Sequence, residues 1–198
     1  MPIAIKNSKI DISSEETTKV LAESFKNFLQ GGEIIFLYGE MGVGKTTFIK
    51  YLINEFQKSS DFPITEVLSP TFNLLNEYQV GPKKIKHYDL FRIKNKRDTN
   101  DLNIFEKDNN LITFVEWPEL VKDIQEKVIV LKFNYENELN NRSVEITGID
   151  KEYNRMKNSK DLQKIKGDAS FRTFYRNKKN NSIVVYAKKE KEKNLLIY

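Results

Sequence analysis

The 198-residue chain has no cysteine, and that absence removes three kinds of chemistry: a disulfide frame, a cysteine zinc site and a thiol nucleophile. A chain without thiols suits a reducing compartment, and the expected location is the cytoplasm. Long apolar runs are missing as well. No stretch approaches the roughly 20 apolar residues that span a bilayer, and the start, MPIAIKNSKIDISSEE, has no apolar h-region of a signal peptide. The expectation is a soluble protein without an internal repeat.

What is present is enough apolar material, 39% of residues with 12% aromatic, to build a core. The net charge of +5 is unevenly spread. Residues 1–150 hold 19 Lys and Arg against 23 Asp and Glu, whereas residues 151–198 hold 14 against 5. A mildly acidic body with a basic tail argues against a broad phosphate-tracking surface on the main domain. Two segments are therefore expected: a domain over residues 1–150 and a basic extension over 151–198, with the boundary between Asp150 and Lys160.

Along the body, Ser13 with Glu16 three residues later reads as a capping box. Val20, Leu21, Phe25, Phe28 and Leu29 then follow at helical spacing up to Gly31 and Gly32. The continuous apolar run Ile34 to Tyr38 suits a strand buried on both faces of a parallel sheet. Further runs at 74–78, 85–90, 111–117 and 128–133 and an alternating stretch at 144–149 alternate with helical segments, which predicts an α/β fold with a mostly parallel sheet flanked by helices.

The sharpest signal is GEMGVGKTT, residues 39–47, with Gly39, Gly42, Gly44, Lys45 and Thr46 in the pattern G-x-x-x-x-G-K-T. The glycines tolerate positive φ, so the backbone can wrap a phosphate at a helix N-terminus. Lys45 adds a point charge near the β and γ phosphates, and the Thr46 hydroxyl is placed to ligate Mg²⁺. The strand before and the helix after, from Thr46 to about Phe56, are the context this loop needs. Such a site also needs a carboxylate at the end of a neighbouring strand. Asp89 and Glu116 each end an apolar run, in the place where parallel strands deliver residues to a ligand crevice. SPTF, residues 69–72, falls where P-loop enzymes place a loop that senses the γ-phosphate, with Thr71 within reach of metal or phosphate; a plain proline turn is the alternative. His87, the only histidine, reads either as a general base or as a packed, hydrogen-bonded side chain.

GEMGVGKTTF, SPTFNLLNEY (69–78), HYDLFR (87–92) and VEWPE (115–119), in that order, closely resemble the TsaE family, formerly YjeE, over roughly residues 8–150. The resemblance implies a P-loop NTPase-like ATPase that acts with TsaB and TsaD in the threonylcarbamoylation of adenosine 37 of tRNA, meeting the tRNA indirectly through that complex. It further implies that Met41, Gly42, Val43, Gly44, Lys45 and Thr46 wrap ATP. Thr46 and Glu116 would hold Mg²⁺, and Asp89 would lie at nucleotide and metal. Lys45, Thr71, Asp89 and Glu116 make up the catalytic set, Trp117 lies beside it, and Asn141 touches the nucleotide from a late loop. A small-molecule P-loop kinase and a binding module without turnover are the rival classes.

The family match ends after Ile149. GDASFRTFYR, 167–176, resembles the glycine-containing loop that opens the amino lobe of aminoglycoside-phosphotransferase-like sugar kinases, in particular those acting on cell-wall amino sugars, with Ile183 to Ala187 as the next strand. The tail would then be a truncated remnant of such a kinase, or the start of one fused to the ATPase half. The later catalytic aspartate such a kinase needs is not found, and HYDLFR cannot supply it, because it precedes the loop and no Asn stands five residues after Asp89. The tail is therefore expected to carry one β-hairpin from Phe171 to Ala187 beside a helical linker, without activity of its own.

Overall fold

A computed structural model of the chain describes residues 9–122, 128–136, 140–148, 162–165, 173–177 and 183–186. Its centre is the strand Ile34–Tyr38, here β2, whose five residues IIFLY offer no polar face and are buried on both sides up to Tyr38. Seven strands share this sheet. They are β1 (Lys9–Asp11), β2, β3 (Leu75–Val80), β4 (Lys83–Asp89), β5 (Leu111–Glu116), β6 (Val128–Tyr135) and β7 (Arg142–Thr147), in the spatial order β1-β7-β6-β2-β5-β4-β3. The four middle strands β6, β2, β5 and β4 run parallel, and the pairs outside them are antiparallel. The parallel sheet expected from sequence is thus the core of a mixed one. The fold is P-loop NTPase-like.

The two long helices, α1 (Glu15–Lys26) and α2 (Lys45–Ser59), lie on one face of the sheet. There Phe25, Phe48, Ile49, Leu52 and Ile53 close over Ile35, Leu37, Ile112, Phe114 and Leu131. Each such side chain taken fully out of water contributes roughly 1.5–3 kcal/mol, so this face carries most of the apolar burial. On the opposite face Ile34, Phe36, Val115 and Tyr88 pack under Leu90, Ile104 and Val121. That cover comes from an irregular segment holding the one-turn helix α3 (Arg97–Asn100).

Two local expectations shift. The capping box belongs to Ser14 and Thr17, not to Ser13 and Glu16. Ser13 is engaged elsewhere: its N–H donates to Asp11 Oδ1 at 2.8 Å, and its hydroxyl accepts from the Arg142 N–H at 2.9 Å, tying β1 to β7. Helix α1 also stops at Lys26, ahead of the glycine pair. Gly31 serves a different purpose, since a Cβ there would stand 2.0 Å from the Asn109 carbonyl oxygen at φ +113°.

In the tail, β8 (Leu162–Ile165), β9 (Thr173–Asn177) and β10 (Ile183–Tyr186) form an antiparallel sheet ordered β10-β9-β8. The expected hairpin is therefore found as β9 and β10. Residues 162–165 form a third strand where a helical linker was expected; the proposed boundary, 150–160, lies outside the described residues.

Candidate functional site

At the C-terminal end of β2 the chain turns through the glycine loop into α2. Gly39 takes φ +141° with its Cα hydrogen-side space closed by β6, because a Cβ would fall 2.6 Å from the Phe133 carbonyl oxygen. Gly44 caps α2 at φ +113° and ψ 12°, and no side chain caps the helix. The first N–H groups of α2 have no acceptor within the helix. They make the helix N-terminus a site for an anion.

Lys45, the first residue of α2, folds back over this loop. Its Nζ donates to the Gly39 and Glu40 carbonyl oxygens at 2.7 and 2.9 Å and stands 4.0 Å from the Trp117 ring centroid. Burial pulls the ammonium below the ordinary lysine value, against the carboxylates of Glu116, Asp89 and Glu119, which hold it up. A partly desolvated cation with weak neutral partners has much to gain from a phosphate.

Parallel pairing brings the acidic residues beside it. Asp89 pairs with Glu116, and Glu116 with Leu37, so β4, β5 and β2 end side by side. Both carboxylates are buried. Glu116 Oε1 accepts from the Thr46 hydroxyl at 2.7 Å and from His87 Nε2 at 2.9 Å. Immediately after Glu116, Trp117 takes the left-handed conformation at φ 56°, uncommon for a bulky residue, and Pro118 follows it. This sharp turn lays the Trp117 ring over Lys45 and against Phe91, with ring centroids 4.9 Å apart.

Asp89 organises the opposite wall. Its Oδ2 accepts from Ser69 Oγ at 2.5 Å and Thr71 Oγ1 at 2.6 Å, and its Oδ1 from the Phe91 N–H at 3.0 Å. One side chain therefore fixes both the 69–72 loop and the turn after β4. Between these walls is a cavity of about 500 Å³, within the range of small-molecule sites. Its lining includes Met41, Gly42, Gly44, Lys45, Thr46 and Thr71, with Asp89, Glu116 and Trp117.

Most sequence-predicted residues thus converge. Val43 turns its side chain into the core, leaving only its backbone to the loop. Asn141 stands outside the cavity lining, in the β6–β7 connection, where its carbonyl accepts from the Glu136 N–H at 2.8 Å. The chain approaches the loop instead through Tyr135, the last residue of β6, whose hydroxyl donates to the Met41 carbonyl at 3.2 Å. Sequence reasoning passed over Ser69, Phe91 and Arg92. Arg92 lies 3.9 Å from the ring centroid of the exposed Phe72 at the cavity mouth. The paired hydroxyls of S-x-T, two residues apart, were the available signal for Ser69.

The donor set can be tested against a divalent metal. Among the described residues no cluster of three or more His, Cys, Asp or Glu side chains stands ready to hold an ion alone. One carboxylate and one hydroxyl converge instead, Glu116 and Thr46, beside an anion cradle. This suits Mg²⁺, which retains waters and shares its shell with substrate phosphates.

Residues 12–144 match the family model described as Threonylcarbamoyl adenosine biosynthesis protein TsaE. A curated Rickettsia bellii protein, named tRNA threonylcarbamoyladenosine biosynthesis protein TsaE, is 36% identical over 118 residues, covering 60% of this chain and 79% of that protein. An Aquifex aeolicus protein of the same name is 38% identical over 111 residues, covering 56% and 77%. The crystal structure of Bacillus subtilis YdiB superposes with a TM-score of 0.55 at 20% identity, over 78% of this chain and 99% of that one. The last similarity concerns the fold.

Proposed function

With two thirds of its length matched, the chain belongs to the TsaE family of threonylcarbamoyl adenosine biosynthesis proteins, and we propose that it is a Mg²⁺-dependent ATP hydrolase. On this reading it works in the cytoplasm with TsaB and TsaD in the threonylcarbamoylation of adenosine 37 of tRNA, which it meets through that complex. The observation that carries the hydrolase reading is the 2.7 Å hydrogen bond from Thr46 to Glu116 beside the glycine cradle. By giving its proton to Glu116, the Thr46 hydroxyl keeps its lone pairs for a cation. Thr46 and Glu116 would hold Mg²⁺, which when bound neutralises charge on the transferring phosphoryl oxygens.

The chain's own residues do the rest. Backbone N–H groups from Gly42 to Thr46 hold the phosphates, and Lys45 leaves its two carbonyl partners for the β and γ oxygens. Trp117 and Phe91 wall the cavity from water. Asp89, which anchors Ser69 and Thr71, would orient the attacking water, so the 69–72 loop would answer to the state of the γ-phosphate.

The reading is tested by phosphate release from ATP by the chain alone, with TsaB and TsaD, and with small hydroxyl acceptors. Release of inorganic phosphate that responds to the two proteins is expected; a phosphorylated small acceptor would overturn the reading in favour of a kinase.

We also propose that the nucleotide site is complete within residues 1–150. The seven-stranded sheet closes with β7 at Thr147, and among the described residues all those lining the cavity precede it. A chain ending at Asp150 should keep its melting transition and its Mg²⁺-dependent hydrolysis. Loss of basal hydrolysis on truncation would contradict this, and a salt-dependent loss of tRNA binding alone would assign the basic tail to tRNA.

A further inference from the structure

His87 is fully buried on β4, two residues before Asp89 and on the same face of the sheet. Apart from Asp89 and Glu116 its neighbours along that face are apolar, with Ile85 and Phe114 both in the larger core. Burying an imidazole there is costly unless its nitrogens are satisfied. Only one is: Nε2 lies 2.9 Å from Glu116 Oε1, while the buried Nδ1 has no hydrogen-bond partner among the described residues. With the carboxylate oxygen as acceptor, Nε2 is the donor of this pair. An apolar side chain would fill the same space without that cost. The polar ring is therefore explained by what it does to Glu116.

We propose that His87 is a positioning residue that fixes the Glu116 carboxylate for a nucleotide-bound divalent ion. The proposal rests on the reading of Glu116 as a metal carboxylate. The terminal torsion of a glutamate is broad, and a hydrogen bond from the Thr46 hydroxyl alone leaves it free to swing. The second donor comes from a ring held rigidly on the adjacent strand, and both donors converge on Oε1. Neither uses Oε2, which the two bonds together hold in a set direction. Partners of this kind behind a ligand typically govern metal affinity by about 10–100-fold.

The test compares His87→Gln with His87→Asn in the full chain. Glutamine places an amide nitrogen near the position of Nε2, whereas asparagine, one carbon shorter, places it near Nδ1 and out of reach of Glu116. Mn²⁺ is titrated into each protein with ADP bound and followed by electron paramagnetic resonance, with ADP affinity in EDTA and the melting transition recorded alongside. The expected result is a half-saturating Mn²⁺ concentration raised by about tenfold or more in His87→Asn and close to wild type in His87→Gln, with ADP affinity in EDTA unchanged in both. If the asparagine variant does not fold, His87→Leu replaces it with the same expectation. Equal behaviour of the two variants, whether both weak or both like wild type, would overturn the proposal, since a packing role does not distinguish where the amide sits. Failure of the wild-type protein itself to take up Mn²⁺ with ADP would instead overturn the reading of Glu116, and this proposal with it.

Discussion

Lys45→Ala should abolish measurable ATP binding and hydrolysis while the fold persists. Lys45 is a buried residue, so its loss is not neutral, but what it gives up without nucleotide is two hydrogen bonds to carbonyls and a cation–π contact with Trp117. Water can replace the former in the opened cavity, and the cost to stability should be on the order of 1 kcal/mol. With phosphate present the loss is larger. Each charge-assisted bond to an anion contributes about 1.5–3 kcal/mol, and two of them amount to at least a hundredfold in affinity. Calorimetric titration together with thermal unfolding separates the two effects. Undiminished ATP affinity in a folded Lys45→Ala protein would remove the lysine from the site.

Glu116→Gln should leave binding of nucleotide in EDTA intact and reduce turnover by about two to three orders of magnitude, the equivalent of several kcal/mol of transition-state stabilisation. The substitution preserves shape, so β5, Trp117 and the pairing with Leu37 and Asp89 should survive. It removes the charge that faces the metal, and it presents Thr46 and His87 with an amide in place of a carboxylate that accepts from both. Steady-state hydrolysis over a range of Mg²⁺ concentrations is the measurement. Full activity would transfer the role to Asp89.

The site was largely legible in the sequence because its parts sit where backbone rules put them. A glycine loop between strand and helix has few conformations open to it, and carboxylates that end parallel strands are delivered to one edge. Asp89 and Glu116 could thus each be assigned to the ligand crevice from sequence, and the pairing of β4 with β5 sets them side by side. What was not legible depends on which face a residue takes and on competition between neighbours. His87 stands in the same HYDLFR motif as Asp89, but only the parallel pairing of β4 with β5 turns it toward Glu116. Ser13 begins the pattern that reads as a capping box, but Asp11 and Arg142, the second distant in sequence, engage it, and Ser14 takes the cap. The face opposite the helices is covered by the segments either side of β5 with hardly any helix, because Leu90, Ile104 and Val121 reach the sheet from outside regular elements and such segments have no periodicity to read. In the tail the strand Leu162–Ile165 was missed for a related reason: four residues with two apolar positions, Leu162 and Ile165, are too few to set a period, and pairing with β9 decides.

The central claim is that one cavity takes ATP through the glycine loop and Lys45 and takes Mg²⁺ with it through Thr46 and Glu116. The most direct measurement is a calorimetric titration of ATP into the full chain, repeated with Mg²⁺ and with EDTA. One site per chain is expected, with affinity that falls when the metal is withheld and a metal effect that disappears in Glu116→Gln. Absence of binding, or an affinity indifferent to Mg²⁺ in the wild-type protein, would contradict the account.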